Sequence, residues 1–161
     1  MTALNLLYLS LVFHISGLAL WVGSTVAEYI LLKQFWKIHA ADKEQSLGAY
    51  RLLSRLPRLF AIGFGLLLLS GITMFLVMGG VFGSQRWFQV KMILLLVAII
   101  NGIVIGRRLG VTLRGLLQSE AAGKTDAAAF GSIKRKFNVF HLVQLCTFLL
   151  IFICSIFKFN S

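Results

Sequence analysis

The chain has 161 residues, 58% of them hydrophobic and only 13% charged, with a mean hydropathy of +0.88. Soluble domains carry about 25% charged residues, so a water-facing surface is excluded for much of this chain and lipid is its expected solvent. The net charge of +11 does not point to nucleic acid, because the basic residues lie between apolar runs. That placement reads as membrane topology and contact with anionic lipid headgroups.

Four runs meet the requirement of about 20 largely apolar residues for a spanning helix. The first, residues 4–32, lacks a basic segment before it and is longer than the apolar core of a signal peptide, so it is expected to be a retained helix. Along it Ser10, His14, Gly17, Trp21, Ser24 and Glu28 recur at spacings of four and three. A seven-residue step drifts only about 20° around a helix, so these six share one face. Leu, Val, Ala and Ile flank them, so the polar stripe is expected to face protein and the flanks lipid.

Residues 33–56 are helix-compatible, and the first helix is expected to project past the membrane. The second span, 56–78, is entered through Arg51, Arg55 and Arg58 on one face, and Pro57 marks its start. Gly79-Gly80 and Gly83-Ser84 predict a short turn, with Trp87 as an interfacial anchor. The third span, 90–105, is short unless it borrows Trp87 and Phe88 or Leu109, which gives about 88–109. It too is expected to continue as a helical extension, and Gly102 and Gly106 are read as a close-packing pair. Residues 119–132, rich in Ser, Ala, Gly, Thr and Asp, read as a flexible linker before the fourth span at 137–157. Cys146 and Cys154 inside that span differ by about 80° and about 12 Å along a helix, too far to bridge. No strand alternation suggests a barrel. The predicted fold is all-α, a single-domain integral membrane four-helix bundle.

Charge sets the expected orientation. Lys33, Lys37, Lys43, Arg51, Arg55 and Arg58 lie in the first connection, and Arg107, Arg108, Arg114, Lys124, Lys134, Arg135 and Lys136 in the third. Only Arg86, Lys91 and Lys158 lie on the other side, a bias of thirteen to three. The rule that basic loops stay inside then makes both termini external (N-out/C-out), puts the helical extensions on the cytoplasmic side, and suggests a bacterial inner membrane.

Depth along the spans sorts the polar residues into two layers. An inner one comprises Glu28, the only carboxylate in a span, with Arg55 or Arg58, Asn138 and His141. An outer one comprises His14 with Lys91, Met74 and Met78. Plainer readings stand beside these: a structural Glu28–Arg55 ion pair, His141 as a hydrogen-bonded packing residue, and Lys91 reaching out to the headgroups. A deep histidine beside Trp21 has fewer structural uses. A b-type haem needs axial ligands at matching depth on facing helices. His14 and His141 differ by about 10–15 Å in height at 1.5 Å per residue, so His14 with Met74, Met78 or Lys91 is the easier arrangement. His141 is retained as a second candidate ligand. His14 with methionines also suits Cu(I). Hydrolytic and phosphoryl-transfer motifs are absent.

The segment His14-Ile-Ser-Gly-Leu-Ala-Leu-Trp21-Val-Gly23 resembles the opening helix of a group of small bacterial membrane proteins. The group includes the HemJ-type protoporphyrinogen IX oxidases and the copper-resistance D domain. Arg51, Arg55 and Arg58, the Ser70-Gly71 pair, and Trp87-Phe88-Gln89-Val90-Lys91 extend the resemblance over roughly residues 10–110. It implies a helical bundle associated with haem or porphyrin, in which His14 and Lys91 are the functional residues and Trp21 lies beside the cofactor. Three functions are therefore expected as rivals: a haem- or porphyrin-associated oxidoreductase, copper or proton translocation through His14, Glu28 and His141, and a structural membrane module. Membrane lipid and a porphyrin are the expected partners, with self-association left open.

Overall fold

In a computed structural model, which describes residues 2–158, the protein is all-helical, with no strand among the described residues. Four helical stretches, Ala3–Ala41, Lys43–Val77, Arg86–Ala121 and Ala127–Phe157, are long and apolar enough to cross a membrane, as the four apolar runs predict. The chain divides into two compact units, the first ending at Gln85 and the second beginning at Arg86.

The first unit is a hairpin. Helix α1 (Ala3–Ala41) has 39 residues, so it is about 58 Å long, well beyond the roughly 30 Å hydrocarbon core. Helix thus continues unbroken from the first apolar run through residues 33–41. It stops at Asp42, whose extended backbone (φ −148°, ψ 110°) breaks the α1 ladder. The Asp42 side chain accepts from Gln45 N–H at 3.0 Å, which caps the short helix α2 (Lys43–Leu53). Helix α3 (Leu56–Val77) then starts with Pro57 in its first turn, where a missing N–H costs nothing. Gly79 and Gly80, both at positive φ (64° and 72°), end α3 in the left-handed conformation that glycine adopts freely.

Helix α1 packs chiefly on α3, and two glycines let the backbones touch. A Cβ on Gly17 would lie 2.7 Å from Gly63 O and from Leu67 N, and one on Gly63 would lie 2.7 Å from Trp21 N. Neither position accepts a side chain without moving a helix. Around this crossing Ser10, Gly17, Trp21 and Ser24 are buried, with His14 and Glu28 half-buried, while Val12, Ile15, Val26 and Ile30 are exposed. The stripe of the first helix therefore faces protein.

The second unit comprises helix α4 (Arg86–Ile100), a π-helical turn (Asn101–Gly106), helix α5 (Arg107–Ala121) and helix α6 (Ala127–Phe157). The first three form one continuous rod, so the third span is longer than its apolar run. Three features differ from the sequence expectation. The flexible linker at 119–132 shrinks to 122–126, because Ala127, Ala128 and Ala129 are strong helix formers and Asp126 caps them, accepting from Ala129 N–H at 2.9 Å. Trp87 is buried at 6% exposure, edge-on to Phe88, so protein covers a ring expected to be exposed to the headgroups. Of the pair Gly102 and Gly106, only Gly106 makes a close contact, against the Phe140 ring.

Candidate functional site

Each unit builds a polar cluster around a histidine within its apolar helices, and the first unit also pairs His39 Nδ1 with Ser46 Oγ at 3.1 Å beyond its apolar run. In the first unit the tight Gly17–Gly63 crossing brings α1 and α3 close enough for His14 Nδ1 to reach Ser70 Oγ at 3.0 Å. The imidazole lies over Gly71, where a Cβ would be 3.4 Å from His14 Cε1. The Ser70-Gly71 pair is thus a cradle, with the hydroxyl fixing the ring and the glycine making room for it.

The hydrogen-bond pattern selects a tautomer. Ser70 Oγ donates its proton to Leu66 O at 2.6 Å, with Leu67 O also near at 3.1 Å. A hydroxyl has only one proton, so toward His14 it is an acceptor and Nδ1 carries the hydrogen. In the neutral ring the lone pair then resides on Nε2. This is how ligating histidines are prepared: one ring N–H is held by a neighbouring acceptor and the other nitrogen is presented to the metal.

The other hydroxyls near the stripe return to their own helix, Ser24 to Leu20 O at 2.6 Å and Thr25 to Trp21 O at 2.9 Å. Trp21 is buried against Phe64, edge to face at 5.3 Å. Met74 is half-buried one turn beyond Ser70, and Met78 is exposed at the end of α3. Arg55 and Arg58 are exposed at the start of α3. His14 and Ser70 are about 10 Å inside the Val77 end of α3, counting the rise per residue.

In the second unit His141 is completely buried, and its Nδ1 contacts Phe137 O at 2.9 Å. A carbonyl only accepts, so this ring too carries hydrogen on Nδ1. Phe137 stacks on it at 6.3 Å and Phe140 meets it edge-on at 4.8 Å. One turn on, the fully buried Gln144 accepts through Oε1 from Asn101 Nδ2 at 2.7 Å. Asn101 also donates to Phe140 O at 3.2 Å. It opens the π-helical turn, a local widening often found at functional positions. Gln144 Nε2 is buried with no hydrogen-bond partner among the described residues.

Of the residues predicted from sequence, Glu28 is half-buried on the α1 stripe, Asn138 is exposed on α6, and Lys91 is half-buried on α4. Cys146 and Cys154 are free thiols. The carboxamide that joins the α6 cluster is Asn101, which the sequence reading passed over. Its signal was a lone amide inside an apolar run, directly before Gly102. Ser70 as the partner of His14 was likewise visible only as half of a Ser-Gly pair.

Among the described residues no three of His, Cys, Asp or Glu come together as a metal site. Comparison of the chain with protein-family models, curated proteins and solved structures finds no match.

Proposed function

We propose that the chain is a multi-pass protein of the bacterial inner membrane that holds a haem b or a porphyrin through His14 and serves a redox reaction. The observation that carries this is the His14–Ser70 hydrogen bond, which orients the ring and leaves the lone pair on Nε2. A haem asks one or two side chains of the protein, whereas a bare transition-metal ion asks three or four. Of the two histidines of the first unit held by a serine, His14 by Ser70 and His39 by Ser46 at 3.1 Å, only His14 lies within an apolar run, and a single ligand there fits the former better than the latter. This favours haem over copper. Met74, one turn from Ser70, is the second candidate ligand within the first unit, and His141, in the same tautomer, is a separate candidate within the second.

The chemistry a bound haem supplies is one-electron exchange. The chain's own part is to hold it. Ser70 keeps the imidazole from rotating, Gly71 gives it space, and Trp21, buried against Phe64, packs about two turns further along α1. Lys91, in the second unit, is assigned a functional role through the resemblance to the HemJ-type oxidases alone.

The test is the absorption spectrum of the full chain purified in detergent after expression with added haem precursor. A Soret band is expected, and it should be lost in His14→Ala. No Soret band, even after haem is supplied to the purified protein, would overturn the proposal.

A further inference from the structure

We propose that the α5 end of the third span carries a binding site for an anionic phospholipid, formed by Arg107 and Arg108 with the apolar residues on either side. The inference rests on the membrane-spanning reading and is independent of haem. An open groove of about 590 Å³ runs along this face, lined by Ile103, Val104, Arg107, Arg108, Val111 and Thr112. Its volume falls within the roughly 300–1,000 Å³ of small-ligand sites. The lining positions repeat every four residues, which puts them on one side of the rod: an apolar pair, a pair of guanidinium groups, then Val111 and Thr112.

Three observations give the groove its occupant. Ile103, Val104 and Val111 are strongly exposed, at 56%, 42% and 65%, and continue the lipid-facing surface of the span. Neither guanidinium has an ion-pair or hydrogen-bond partner among the described residues. The carboxylates of this unit, Glu120 and Asp126, are about 18 Å or more further along the chain by helical rise, and Asp126 is engaged as the α6 cap. Thr112 spends its proton on Arg108 O at 2.9 Å, so the donors facing the groove are the two arginines.

Two forked cations between apolar shelves at the end of a span match a lipid phosphate bound bidentately, its acyl chain lying along Ile103 and Val104. A free phosphate would use the guanidinium groups and leave the shelves idle. Basic sites at the cytoplasmic end of spans bind anionic headgroups in this way.

Native mass spectrometry of the detergent-solubilised full chain, titrated with dioleoyl phosphatidylglycerol or dioleoyl phosphatidylcholine, tests the site. Each guanidinium near the headgroup is worth about fivefold in affinity, so a preference of roughly 25-fold for the anionic lipid is expected. The double variant Arg107→Gln/Arg108→Gln should bind both lipids alike, and Arg114→Gln, outside the groove, should behave as the unmodified chain. Equal affinity in the unmodified chain, or a preference that survives the double variant, overturns the proposal. So does inorganic phosphate that binds as tightly as the lipid, which would make this a simple anion site. Photoreactive phosphatidylglycerol should label residues 101–114 of the unmodified chain, and labelling confined to other segments contradicts the assignment. Co-flotation with phosphatidylcholine vesicles reports membrane insertion separately, so failure of the site and failure of the spanning reading are distinguishable.

Discussion

Ser70 has one proton and gives it to the Leu66 carbonyl, so what it offers His14 is an oxygen lone pair. Replacing it with alanine leaves Nδ1–H without this acceptor and frees the ring to rotate. Ser70→Ala is expected to weaken haem retention by about 10–100-fold, the usual cost of losing the group that orients a ligating histidine. The ratio of Soret to protein absorbance across a haem titration measures it, and unchanged retention would remove Ser70 from the account. In the second unit, Asn101 donates to both Gln144 Oε1 and Phe140 O. Interhelical hydrogen bonds in membranes average about 0.6 kcal/mol and reach about 1.7. Asn101→Leu should therefore destabilise the fold by about 1–2 kcal/mol in detergent unfolding titrations. Because Asn101 and Gln144 share a bond, the double variant with Gln144→Leu should cost less than the sum of the singles by about 0.5 kcal/mol or more. Additive losses would show that the two amides act independently.

At the scale of the helices, the decisive contact is backbone against backbone. A methyl group at Gly17 or Gly63 meets main-chain atoms at 2.7 Å, and a main chain cannot swing aside as a side chain does. Gly17→Val or Gly63→Val is expected to cost about 3 kcal/mol, the upper end for overpacking, and to separate His14 from Ser70. Gly23 and Gly65 have nothing within 4 Å of a built Cβ, so alanine there should be neutral or stabilising by up to about 1 kcal/mol. Unfolding midpoints of the four variants check the contrast, and equal effects at all four would contradict it. The stripe on α1 was legible because His14, Gly17, Trp21 and Glu28 stand out among aliphatic neighbours at helical spacing. Gly63 was not, since a glycine in the apolar run of α3 looks the same whether it touches a helix or lipid. The early start of α6 was misread for a related reason. Ala127–Ala129 and their Asp126 cap lie in a stretch whose Ser, Thr and Gly content suggests a loop, and a cap is recognised only when the residues after it are helical.

For the whole chain, hydropathy located the four helices long and apolar enough to cross a membrane, because lipid demands length and apolarity of each helix in turn. The clusters could not be located that way, since which amide meets which histidine depends on helix rotation, and neither the apolar runs nor the charge count carries it. Charge adds an expected topology: thirteen basic residues against three predict both termini outside. In a cysteine-free background, single cysteines at Thr2 and at Glu44 or Lys124 should partition cleanly, with an impermeant thiol reagent on intact cells labelling the first and sparing the other two. The reverse pattern would invert the protein. The central claim, that His14 presents Nε2 to a haem, is tested most directly by titrating haem into His14→Ala with and without imidazole in solution. Binding should be lost in the variant and restored by imidazole entering the space above Gly71. A variant that takes up haem as the unmodified chain does, with no response to imidazole, would contradict the account.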